Sequence, residues 1–141
     1  MIFLPRTDLG GQERCRSIVE AQILQFGYSI YGWRQVPLNV GIIGEKANAT
    51  RPEIEQIMIA GQSGKSDEDF ERDLYVIRRR IENQVIDENI PEFYICSLSC
   101  RSIIYKGMFL AEQVTDFYPD LLDERFESRF AIYHQRYSTN T

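Results

Sequence analysis

A chain of 141 residues with 43% hydrophobic and 26% charged side chains is sized for one domain and long enough to bury a core. Its 16 basic and 21 acidic residues leave a net charge of −5, which argues against nucleic acid, whose binders present basic surfaces. No apolar run approaches the roughly 18 residues of a membrane span, so no membrane partner is expected.

The opening "MIFLP" predicts a short buried strand closed by Pro5. Arg6 and Asp8 interrupt it before the apolar region of a signal peptide could develop. Over residues 9–26, Cys15, Ile18, Val19, Ile23 and Phe26 recur at helical spacing, and Gly27 follows as a stop. "YSIYGWRQV" at 28–36 is rich in strand formers and ends at Pro37. A short helix is expected over 42–49 and a strand over 54–60.

The loop "GQSGKS" then leads into the strongest helical pattern. Ser66 and Asp69 form a capping-box pair, and Phe70, Leu74, Ile77, Ile81 and Val85 trace one apolar stripe. "FYICSLS" (93–99) and "SIIYKGM" (102–108) predict a hairpin around Cys100 and Arg101. The first of these is apolar on both faces, which suits a sheet covered on both sides. A short helix over 110–117 and a last strand over 129–137 complete the chain. The class is α+β, with strands meeting in hairpins more than in parallel crossovers.

Several motifs invite a chemical reading. "GQSGKS" resembles a phosphate-binding loop, but the glycine required five positions before Gly64 is Ile59, so a flexible loop is favoured. Arg78, Arg79 and Arg80 oppose the buried stripe and sit beside acids, which favours a solvated helix face. Cys15, Cys96 and Cys100 match no zinc or iron–sulfur spacing. A reducing compartment is the natural setting for them, cytoplasm or plastid. Cys100, in a turn beside Arg101, is the most reactive candidate of the three.

The last strand places Phe130, Ile132, His134 and Arg136 on one face. His134 there is read as a structural, hydrogen-bonded histidine rather than a general base. Arg136 presents a guanidinium fork at the strand end, with Ser138, Thr139 and Asn140 beside it. A bidentate carboxylate clamp and a surface salt bridge both fit that pattern.

"HQRYSTNT" (134–141) resembles the glutamine-site strand in the glutaminase domain of glutamate synthases, class II glutamine amidotransferases. "FLPR" (3–6), "GWRQVP" (32–37), "LYVIRRRIE" (74–82), "FYICSLS" (93–99), "IIYKGM" (103–108) and "FYPDL" (117–121) resemble the same family in the same order. The resemblance implies an N-terminal-nucleophile (Ntn) hydrolase fold, a four-layer αββα sandwich of mostly antiparallel sheets. It implies hydrolysis of L-glutamine to L-glutamate by an N-terminal cysteine whose α-amine is the base. Carried over to this chain, it makes Arg136 the ligand of the glutamine α-carboxylate and Thr139 and Asn140 substrate contacts.

The chain departs from that pattern in two places. It starts Met1-Ile2 rather than with cysteine, and it contains no Asn-Gly dipeptide for the oxyanion hole. Residues 1–141 are therefore expected to be part of a type-2 amidotransferase domain, with no catalytic residue of their own and inactive alone. The rest of the enzyme is the expected partner, and FMN and an iron–sulfur cluster are expected there rather than here. Uncovered sheet predicts self-association. The alternative is a stand-alone, non-catalytic glutamine-binding or protein-interaction module derived from such a domain.

Overall fold

The computed structural model describes residues 1–108 and 110–134. β1 (Ile2–Leu4) leads to α1 (Leu9–Gln25) and β2 (Ser29–Gln35). A 3₁₀ turn (Val40–Ile42) and α2 (Glu45–Ala49) precede β3 (Glu53–Ala60) and α3 (Asp67–Asp87). β4 (Tyr94–Ile95), α4 (Gln113–Phe117) and a 3₁₀ turn (Pro119–Leu122) follow. The strands form one four-stranded sheet in the order β2-β3-β1-β4, with every pairing antiparallel. The architecture is α+β.

Local chemistry explains the helix ends. The Asp8 carboxylate accepts from the Gly11 amide at 2.9 Å, capping α1. After α1, Gly27 takes φ +79°, a left-handed conformation that lets the chain turn into β2. At α3 the Ser66 hydroxyl oxygen accepts from the Asp69 amide, as the capping pair predicts, while the Asp69 carboxylate accepts from the same hydroxyl. Asp67, Glu68 and Asp69 in the first turn suit the positive end of the helix dipole.

α1 and α3 lie side by side on one face of the sheet. Ile18, Val19 and Ile23 from α1 meet Ile77, Ile81 and Val85 from α3 above Ile2, Leu4 and Ile95. Each fully buried aliphatic side chain contributes roughly 1.5–3 kcal/mol. β2 meets this face through Ile30 and Trp33, an odd spacing that plain alternation cannot supply. A bulge between Ile30 and Gly32 provides the extra residue, with Gly32 at φ +145°. Arg16 of α1 reaches down to β3, where it forms two hydrogen bonds, at 2.9 and 2.5 Å, to the Glu55 carboxylate.

The opposite face carries a second, smaller cluster of Met1, Val36, Ile54, Cys96, Phe117 and Tyr118. Apolar side chains therefore do cover both faces of the sheet, but here they come from irregular chain and α4 rather than from a second helix pair.

Two sequence expectations fail. The hairpin over 93–99 and 102–108 does not form: only Tyr94 and Ile95 are strand, and they pair with β1. Serine hydroxyls take the amides a second strand would need. Ser99 Oγ accepts from Arg101 and Ser102 at 3.0 and 3.2 Å, and Ser97 Oγ accepts from Ile104 at 3.2 Å. The last strand is also absent over 129–134, its described portion. Those residues pair with neither sheet edge, and Phe130, Ile132 and Tyr133 are exposed. Alternation fixes a buried face only when a neighbouring strand takes up the backbone hydrogen bonds. The shared face of Phe130, Ile132 and His134 is therefore not formed. Among the described residues, no helix is long and apolar enough to cross a membrane.

Candidate functional site

The residues predicted to hold substrate, Arg136, Thr139 and Asn140, lie outside the described residues, as do Tyr137 and Ser138. His134, just before them, is exposed. What the structure does describe is the scaffold leading to that segment and the fate of the other candidates.

None of the three cysteines has the setting of a nucleophile. Cys15 is fully buried on the inner side of α1, and burial pushes its thiol up to about 11. Cys96 is buried in the second cluster, and burial raises its pKa too. Cys100 is exposed, but its thiol sits 3.2 Å from Glu71 Oε2. Partial burial, that hydrogen bond and the charges of Glu71 and Asp67 all raise its pKa, while only Arg101 opposes them. An activated thiolate needs the reverse balance. An iron–sulfur cluster needs several cysteines at one place. Cys15 and Cys96 lie on opposite faces of the sheet and Cys100 at the surface, so they do not fit one. Among the described residues, no group of three or more His, Cys, Asp or Glu is placed to hold a metal ion.

The loop resembling a phosphate cradle serves as a clip. Lys65 pairs with Asp73 on α3 and lies 5.1 Å from the centre of the Tyr28 ring. The Tyr28 hydroxyl donates to the same carboxylate at 2.6 Å. The lysine that would meet a phosphate is thus committed to the helix. The arginine run is likewise an ordinary surface: Arg78 and Arg79 both pair with Glu82, and Arg80 stacks 5.0 Å over Phe26.

Sequence reasoning missed a polar network on the face opposite α1 and α3. Arg34 Nη1 and Nη2 grip the Asp120 carboxylate at 2.8 and 2.5 Å, and Nη1 also donates to Gln56 at 2.8 Å. The Tyr105 hydroxyl donates to Asp120 at 3.1 Å. This latch fastens the "FYPDL" turn to the sheet, 16 positions before Arg136. The signal was present: Arg34 interrupts a strand pattern, and a charge inside a strand calls for a partner.

Arg34 holds the Asp120 carboxyl below its ordinary 3.8. A carboxylate depressed in the folded state contributes stability above 3.8, and that contribution fades as pH falls below 3.8 through the folded value. With Arg34 40% exposed, the contribution is about 1 kcal/mol after solvent screening. Asp120→Asn should therefore lower the urea midpoint at pH 7 but change it little at pH 2. An equal loss at both values would show that packing, not the ion pair, matters.

Two clefts flank the scaffold. One, of about 520 Å³, lies between α3 and residues 96–104, with Arg72, Arg78 and Arg101 set among Glu68 and Glu71. The other, of about 570 Å³, opens on the face opposite α1 and α3, between α2 and residues 106–108.

Comparison with known proteins identifies the scaffold. The chain is 76% identical over 140 residues to the large chain of the NADPH glutamate synthase of Azospirillum brasilense, covering 99% of this chain. It is 48% identical to the corresponding large chain of Bacillus subtilis and 46% identical to ferredoxin-dependent glutamate synthase 1 of Arabidopsis thaliana, over the whole chain in both cases. It spans only 9% of the length of each of these relatives. The sequence profile described as "Glutamine amidotransferases class-II" matches residues 1–141. The chain belongs to the class-II glutamine amidotransferase family.

Proposed function

We propose that residues 1–141 form part of the glutaminase domain of a glutamate synthase large subunit. That domain hydrolyses L-glutamine with water to L-glutamate and ammonia, and the ammonia goes on to make glutamate from 2-oxoglutarate. The observation that carries this reading is the unbroken match of the whole chain to large chains of glutamate synthases. Arg136 holds the glutamine α-carboxylate through a bidentate charge-assisted contact, with Thr139 and Asn140 beside it. The α1–α3 layer and its four-stranded sheet form one helical layer and one strand layer of an Ntn sandwich. The apolar cluster on the face opposite α1 and α3 supports the assignment, because a second sheet needs an apolar surface to pack on.

FMN and an iron–sulfur cluster, with electrons from a pyridine nucleotide or ferredoxin, belong to other domains of the enzyme, and no step at this site runs through them. The nucleophile is a cysteine whose free α-amine, titrating near 7.7–8.0, takes its proton. Cys15, Cys96 and Cys100 lack the exposed, electropositive setting of such a nucleophile. The 141-residue chain is therefore inert alone.

Glutamate release from L-glutamine tests this directly. The purified 141-residue chain should match a no-protein blank, while the complete enzyme turns glutamine over. Turnover by the isolated chain would place chemistry on an internal residue. A complete enzyme without glutamine-dependent activity would overturn the function itself.

A further inference from the structure

We propose that Tyr105 and Phe126 form a positioning contact that sets the register of the chain leading to Arg136, and with it the affinity of the site for glutamine. The inference rests on the reading of Arg136 as the clamp of the α-carboxylate.

Tyr105 is held at both its polar and its apolar parts. Its hydroxyl donates to Asp120 at 3.1 Å, the carboxylate that Arg34 grips from β2. Burial first, and then the Asp120 charge, raise the pKa of Tyr105, so the hydroxyl keeps its proton and stays a donor at neutral pH. Its ring meets Tyr118 edge-on, with centroids 5.0 Å apart. Tyr118 is wholly buried, and its own hydroxyl donates to the Lys106 carbonyl at 2.8 Å. The Tyr105 ring also meets Phe126 edge-on, at 5.9 Å and 80°. Phe126 thus rests on a surface that is already fixed to the sheet.

Phe126 is 40% exposed, so this contact adds little to the core. Its role lies in where it stands along the chain. The Phe126 amide donates to the Asp123 carbonyl at 2.8 Å, and Arg125 pairs with Asp123 at 2.7 Å, so the turn before the ring is set as well. Residues 127–134 beyond it pair with neither edge of the sheet, and Phe130, Ile132 and Tyr133 are exposed. Arg136 follows Phe126 by ten positions. Alternate side chains of an extended chain point to opposite faces, so a slip of one residue at its anchor exchanges those faces all the way along. A guanidinium fork tolerates little such error, because a two-pronged contact needs both nitrogens aligned with the carboxylate.

The test is steady-state glutamate release from L-glutamine by the complete enzyme. Phe126→Ala should raise KM roughly two- to tenfold, the range of one aromatic pair, with kcat nearly unchanged. Tyr105→Phe, which frees the ring from Asp120, should act in the same direction. Phe126→Tyr keeps a ring in place and should keep the parent KM. The deciding comparison repeats Phe126→Ala and Tyr105→Phe in an Arg136→Ala background. There neither should lower kcat/KM further, because the group they position is gone. Equal losses with and without Arg136 would show a merely structural contact and overturn the proposal. So would an unchanged KM in both variants while Arg136→Ala still weakens glutamine use. If Arg136→Ala itself left glutamine kinetics unchanged, the clamp reading would fail first and this inference with it, so the two failures are told apart.

Discussion

Arg136→Ala in the complete enzyme is expected to lower kcat/KM for glutamine about 30- to 900-fold. The figure follows from losing a charge-assisted, two-pronged contact to a carboxylate, roughly 2–4 kcal/mol. Because the α-carboxylate lies away from the bond that breaks, most of the loss should appear as a raised KM, the mark of binding shared by ground and transition states. Arg136→Lys keeps the charge but not the fork and should fall between the two. A glutamine analogue lacking the α-carboxylate should be hydrolysed equally by parent and variant. Unchanged glutamine kinetics would remove Arg136 from the pocket, leaving the surface salt bridge as its role.

The elements that sequence reasoning placed well share one property: their signals are local. α1 and α3 declare themselves by stripes whose central members, such as Ile77 and Ile81, are buried, with Phe26 and Phe70 partly buried at their ends. Their ends are set by Asp8, Gly27 and Ser66 within a few residues of chain. β2 and β3 were legible because both are long and flanked by turn chemistry. The segments at 102–108 and 129–134 also contain strand formers, yet neither is a strand. For the first, the deciding partners are Ser97 and Ser99, whose hydroxyls capture the amides. For the second, neither sheet edge takes up the backbone hydrogen bonds of its described portion, a matter of tertiary context that composition cannot carry.

The site divides the same way. The bland readings of the glycine loop and the arginine run follow from Ile59 and from neighbouring acids, both visible in sequence. The latch of Arg34 on Asp120 spans 86 positions, and the Arg16–Glu55 pair spans 39. Such pairs exist only once the sheet has formed, so no local pattern announces them. Arg136, Thr139 and Asn140 were reached through family resemblance, not physics alone, and they lie outside the described residues.

Breaking the Arg16–Glu55 pair is the change expected to cost the fold most among its ion pairs. Arg16 holds both carboxylate oxygens, and the Glu55 side chain is only 10% exposed, pinned between β3 and α1. Arg16→Met would fill much of the same volume while leaving a carboxylate with little access to water. The loss for a fully buried pair is about 3–5 kcal/mol, reduced to about 2–3 because Arg16 remains 23% exposed. With a urea slope near 2 kcal/mol/M, the midpoint of the 141-residue chain should fall by roughly 1 M. Adding Glu55→Leu removes the stranded charge and should restore most of the loss, since burying a pair gains little over apolar packing. Arg14–Glu88 supplies the control. It has the same two-pronged geometry at 2.6 and 2.6 Å, but its side chains are 52% and 30% exposed. Arg14→Met should leave the midpoint where it was, because water already solvates both groups. If both arginine variants lost equal stability, hydrogen-bond geometry rather than burial would govern these pairs. If the double variant fell as far as Arg16→Met, the cost would lie in the missing arginine stem against α1 and not in the orphaned carboxylate.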